Sequence, residues 1–165
     1  MNILLINFFL VCIIKLTSSV GINQSILIET YLYEIDSIEI DLSNRSIDSI
    51  DINTFKGYNK LEKLFLDDNK LRKLEYGLFK HLSNLRELWL ESNIIISIDR
   101  NVFVGLNLLQ KVCLNDNPIS LMFPNNIKPL CDTNPNCNIK INENCIKDTT
   151  SKKKIIFKLI FNYLK

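Results

Sequence analysis

The stretch Leu61-Glu-Lys-Leu64-Phe-Leu66-Asp-Asp-Asn69-Lys-Leu71 returns as Leu85-Arg-Glu-Leu88-Trp-Leu90-Glu-Ser-Asn93-Ile-Ile95. It returns again as Leu109-Gln-Lys-Val112-Cys-Leu114-Asn-Asp-Asn117-Pro-Ile119, each copy 24 residues after the last. Leu74, Ile98 and Met122 follow at one further offset, and Phe79 matches Phe103. A fixed period of this size predicts stacked, near-identical units. Within each copy the last two apolar strand positions lie two apart, the spacing of a strand with one buried face. Each unit therefore contributes a short strand and a return path through Leu71, Leu74, Phe79 and Leu82 or their equivalents. No unit buries its apolar stripe alone, but stacked neighbours share one core.

One period earlier, Ile40, Leu42, Ile47, Ile50, Phe55 and Tyr58 occupy the same positions, so the pattern predicts about four repeats. This first copy is degenerate: Arg45 stands where the later copies have asparagine, and Ser37 replaces the leading leucine.

The pattern resembles the leucine-rich repeat family in its 24-residue extracellular variety, as in Toll-type receptor ectodomains and axon-guidance repeat proteins. The resemblance covers about residues 37–122. It implies an α/β repeat solenoid: a short arc with a parallel sheet on its concave side and a cysteine-containing C-terminal cap. It also implies that Asn69, Asn93 and Asn117 form a ladder of hydrogen bonds to backbone groups left unpaired where the strands bend away. The function implied is protein recognition through the concave face, with no cofactor and no metal.

The ends of the chain read differently from its middle. Residues 1–20 are apolar, interrupted by Lys15 and followed by the small residues Thr17-Ser18-Ser19, and are expected to be a secretory signal. Residues 21–36 are then an N-terminal cap, 37–122 the repeats, 123–146 the C-terminal cap and 147–165 a basic amphipathic tail. Secretion suits the two glycosylation sequons at Asn23 and Asn44. It also suits disulfides among Cys113, Cys131, Cys137 and Cys145, with the connectivity open. Their spacing is not a usual zinc spacing. Register places Cys113 apart from the other three, on the exposed strand face.

Charge is divided along the chain. Residues 22–145 hold 13 basic and 17 acidic side chains, whereas the last 20 residues hold six lysines against Asp148. A mildly acidic body argues against nucleic acid as a ligand, since phosphate binding needs a basic stripe.

Residues between the buried strand leucines are expected to form outward columns on the concave face. One reads Asp41, Phe65, Trp89, Cys113; its neighbours read Glu39, Lys63, Glu87, Lys111 and Ser43, Asp67, Glu91, Asn115. An aromatic pair ringed by charges is the expected centre of a protein-binding patch, with Phe65, Trp89, Asp67, Glu91, Lys63, Glu87 and Asp41 as its members. The alternative is that Phe65 and Trp89 pack on each other and shield the strands. The single histidine, His81, lies on a return path, and no phosphate-cradling glycine loop is present. No catalytic arrangement is expected.

Lys152-Lys-Lys-Ile-Ile-Phe-Lys-Leu-Ile-Phe-Asn-Tyr-Leu-Lys165 would wind as a helix with Lys154, Lys158, Asn162 and Lys165 on one narrow face. It suits a membrane surface or the open end of the last repeat, and is too short to span a bilayer. Two functional expectations follow. One is a secreted module that binds an extracellular protein ligand or receptor, as a soluble modulator or decoy of a larger repeat receptor. The other is a membrane-associated display protein held by residues 152–165.

Overall fold

The computed structural model describes residues 20–122, 140–141 and 145. The expected signal to residue 19, Cys131 and Cys137, and the basic tail lie outside the described residues.

The sheet follows from the 24-residue period. Strands β2 (Glu39–Asp41), β4 (Lys63–Phe65), β6 (Glu87–Trp89) and β8 (Lys111–Cys113) pair in parallel, each residue opposite its equivalent one period away. A fifth strand, β9 (Lys140–Ile141), pairs in parallel with β8 and covers that edge. Opposite the main sheet run short parallel pairs on the return paths. These join β1 (Val20–Ile22) with β3 (Ile47–Ile50), and β5 (Lys73–Leu74) with β7 (Ser97–Ile98).

The core sits between the sheet and the return paths. Ile40, Leu64, Leu88 and Val112 point inward from the strands, and Leu42, Leu66, Leu90 and Leu114 follow them; all are fully buried. From the far side Phe55 and Phe79 stack at 6.3 Å between ring centroids. Return paths are chains of tight turns, as in Leu82 N–H to Phe79 O, Leu85 N–H to Leu82 O and their counterparts one repeat on. Tight turns advance the chain with few residues, which is how strand and return fit in 24.

After each strand the chain turns sharply through a left-handed residue: Asn44, Asp68, Ser92 and Asp116, with φ between 50° and 57°. Short polar side chains tolerate that conformation better than branched or bulky ones. Three of these residues donate their N–H groups to the next repeat, Asn44 to Asp67 O, Asp68 to Glu91 O and Ser92 to Asn115 O. Just beyond stand the asparagines. The Asn69 amide donates to the Leu42, Leu66 and Asp67 carbonyls, and its Oδ1 accepts from Arg45 and Ile47 N–H at 3.0 Å each. Asn93 donates to Leu66, Leu90 and Glu91 and accepts from Leu71 N–H. Asn117 makes the same set one repeat later.

The first repeat has a covering of its own. Helix α1 (Gln24–Glu29) begins at Asn23, whose Oδ1 accepts from Ile26 N–H, and it buries Leu27. Tyr33 then reaches the edge strand: its hydroxyl donates to Asp41 O at 2.7 Å and accepts from Asp41 N–H at 2.9 Å. This supplies partners that β2 lacks on its open side. Arg45 lies over the Tyr31 ring, 4.9 Å from its centroid, so it serves the cap. A second short helix, α2 (Pro118–Met122), opens where Pro118 can start a turn without a missing donor.

Candidate concave binding face

Strand alternation sends one column of side chains outward for each residue flanking the inward leucines. The first column, Glu39, Lys63, Glu87 and Lys111, alternates in charge, and the pairing register sets each beside its opposite. Lys63 Nζ lies 3.4 Å from the Glu87 carboxylate. Burial pushes the Glu39 carboxyl above its ordinary pKa; Lys63 opposes that shift, and Asp41 and Glu87 add to it.

The second column departs from expectation. Phe65 and Trp89 stack at 5.6 Å and 28° between ring planes. Phe65 is half-buried, but Trp89 is only 3% exposed and Cys113 is fully buried. Both had been expected on an open surface. Trp89 is covered because the Lys111 ammonium sits over its ring, 4.0 Å from the centroid, while Phe65 and Cys113 flank it in the neighbouring strands. Its indole N–H donates to a Glu87 carboxylate oxygen at 3.2 Å. Cys113 is covered because it is bonded to Cys145, with their Cα atoms 5.8 Å apart. The expectation that Cys113 stands apart from the cap is therefore corrected: it fastens the C-terminal segment to the sheet.

In the third column Asp67 is 4% exposed, where a solvated carboxylate had been expected, and Glu91 is half-buried. Asn115 donates to Glu91 Oε1 at 3.4 Å. A Glu91 carboxylate oxygen and the sulfurs of Cys113 and Cys145 lie within 4.8 Å of one another. The sulfurs are bonded to each other, so no thiolate remains there to hold a metal. Asp41 accepts from the Ser43 backbone N–H at 2.9 Å and from its hydroxyl. The turn residues Asp68 and Asp116 at the end of this face are exposed.

The resulting face is a firm, mostly acidic shelf. Glu39, Asp41, Glu87 and Glu91 are half-buried on it beside Lys63 and Lys111, and Asp41 and the stacked Trp89 flank the half-buried Phe65 in the neighbouring strands. The sequence columns give the strand register of these residues but not the depth of each member. A cysteine inside an outward column was the one available hint that something covers the last strand. Tyr33, missed entirely, offered no periodic signal. His81 lies on a return path at the position of Gly57 and Gly105, and its Nε2 is buried without a hydrogen-bond partner. The sequons Asn23 and Asn44 are both exposed.

Comparison with known proteins places these features. The leucine rich repeat family pattern matches residues 39–95 and 59–119. Among solved structures, the TLR13–ssRNA13 complex shares 29% sequence identity over 62% of this chain, with a TM-score of 0.55. The Toll–Spatzle complex of Drosophila shares 25% over 58% of this chain, with a TM-score of 0.50. In each case the aligned part is 14% of the other chain. Comparison with curated proteins gave no match.

Proposed function

This chain belongs to the leucine-rich repeat family, with repeats related to those of Toll-type receptor ectodomains, and from that premise we propose that it is a secreted module binding a basic protein ligand on its concave face. The observation that carries the reading is the set of half-buried carboxylates, Glu39, Asp41, Glu87 and Glu91, on the same sheet face as the half-buried Phe65. A pre-stacked aromatic floor costs little conformational entropy on binding, and an acidic rim speeds encounter with a basic partner. Phe65, Asp41, Lys63, Glu87 and Glu91 form the contact surface; Trp89 and Asp67 support it from below.

The two similar structures hold different ligand classes, an RNA and a protein. Charge favours the protein, because an acidic face repels phosphate. Acting as a soluble modulator or decoy, the module would compete for a ligand of a larger receptor with related repeats. The fold is a binding scaffold. No helix among the described residues is long and apolar enough to cross a membrane.

The test uses the purified chain as bait against an extracellular protein panel, alongside Glu87→Lys/Glu91→Lys. The expected result is a partner whose affinity falls at least tenfold in the double variant and weakens with salt in the wild type. A partner bound equally well by both proteins would overturn the reading.

A further inference from the structure

The geometry points to a second binding site on the return side of the repeats. A slot between the first two repeats takes a short extended peptide of a partner protein, with an apolar residue next to an acidic one.

The slot follows from a break in the return-side ladder. Between the second and third repeats, Ile94 N–H donates to Leu71 O, Ile96 N–H to Arg72 O and Asp99 N–H to Leu74 O, and β5 pairs with β7. Between the first and second, Lys70 N–H still donates to Ile47 O at 2.7 Å, but β3 pairs with β1 and lies in a separate sheet from β5. Ser46 accounts for the parting. It is left-handed at φ 57°, whereas its counterparts Lys70 and Ile94 are not, so the first return path is turned as it enters β3. Ile50 O and Glu75 N–H hold the places of Leu74 O and Asp99 N–H, and no hydrogen bond joins this described pair.

The opening left there is a cavity of about 280 Å³, at the small end for ligand sites. Ile50 and Ile52 line one wall, Leu71 and Leu78 the other, and Tyr76 stands exposed at the rim. Peptide groups left open along a strand edge are completed by another peptide, whose alternate side chains enter the pocket. The four residues of β3 span about 13 Å, which sets the length of that peptide. An apolar side chain suits the floor, and charge selects its neighbour. Arg72 and Lys73 are exposed on the rim, and no ion pair among the described residues takes up either. Asp48 is held by the Ser49 hydroxyl at 2.8 Å, which leaves Glu75 to face the two cations. The balance favours an acidic residue in the peptide.

The test titrates the full, isotopically labelled chain with a capped pentapeptide of alternating glutamate and valine, followed by backbone amide NMR. Saturable shifts are expected at Ile50, Ile52, Arg72 and Glu75. The same peptide with N-methylated valines should bind about tenfold more weakly, the scale of one lost hydrogen bond. Arg72→Glu/Lys73→Glu should weaken binding by a similar factor while its amide spectrum away from the slot stays that of the wild type. No saturable shift at these amides, or shifts confined to β4, β6 and β8, would overturn the proposal. So would equal binding of the N-methylated peptide, of a lysine-for-glutamate peptide, or by the double variant. Glu87→Lys/Glu91→Lys should bind the pentapeptide as the wild type does, so this site and the concave face stand or fall separately; weakened binding there would move the peptide to the concave face and overturn the slot.

Discussion

At the scale of single residues, the ladder asparagines and the covered tryptophan do the most. Asn93 bonds four backbone groups across two repeats, three of them in buried hydrogen bonds. Asn93→Ala strands buried donors and acceptors, each costing about 1–3 kcal/mol. The expected loss is about 3 kcal/mol, read as a lower urea midpoint at unchanged slope. Asn93→Asp should be similarly poor, because a carboxylate cannot donate to three carbonyls. Trp89 belongs to the same class despite its outward column. Trp89→Ala should cost about 3–5 kcal/mol as a buried-aromatic deletion, and thermal unfolding would show it in the absence of any ligand. A variant with native stability would mean the ring is not a structural floor.

At the scale of elements, the ends of the sheet are where the design is exposed. The first strand relies on one hydroxyl, since Tyr33 both donates to and accepts from Asp41. Burial pushes the Tyr33 phenol up to about 12, against a backbone hydrogen bond that works the other way. A group whose pKa is higher folded than unfolded holds its proton better in the native state. Its contribution is therefore intact below pH 10 and disappears as pH climbs from 10 through about 12. Denaturation midpoints across that window should fall, and Tyr33→Phe should remove much of the slope while costing about 1–2 kcal/mol at neutral pH. An unchanged alkaline slope in Tyr33→Phe would assign it to Tyr31 and Tyr58, whose pKa values burial also raises.

At the scale of the whole molecule, stability is a sum over repeats and the interfaces between them. Few repeats make each end matter. The Cys113–Cys145 bond spans 32 residues and ties β8 to the segment that follows β9. In the chain-entropy account a loop of that size contributes about 3–4 kcal/mol. Reduction, or Cys145→Ser, should lower the melting temperature by several degrees. Hydrogen exchange should show protection lost first at β8 and later, if at all, at β2 and β4. Uniform loss across all strands would mean the repeats unfold as one unit.

The sequence by itself determined the repeat, its 24-residue register, the inward leucines and the position of the ladder asparagines. These are local and periodic, so the spacing of side chains along one strand already says which face each occupies. It also named the concave columns, because register carries over from repeat to repeat. Only the tertiary structure decided their depth. Trp89, Asp67 and Cys113 have outward strand positions and buried side chains, since cover came from Lys111 above, from neighbouring strands and from Cys145, 32 residues away. Tyr33 and Arg45 took their roles at the N-terminal edge for the same reason. Periodicity fixes direction, but exposure depends on what else the folded chain brings to the same place.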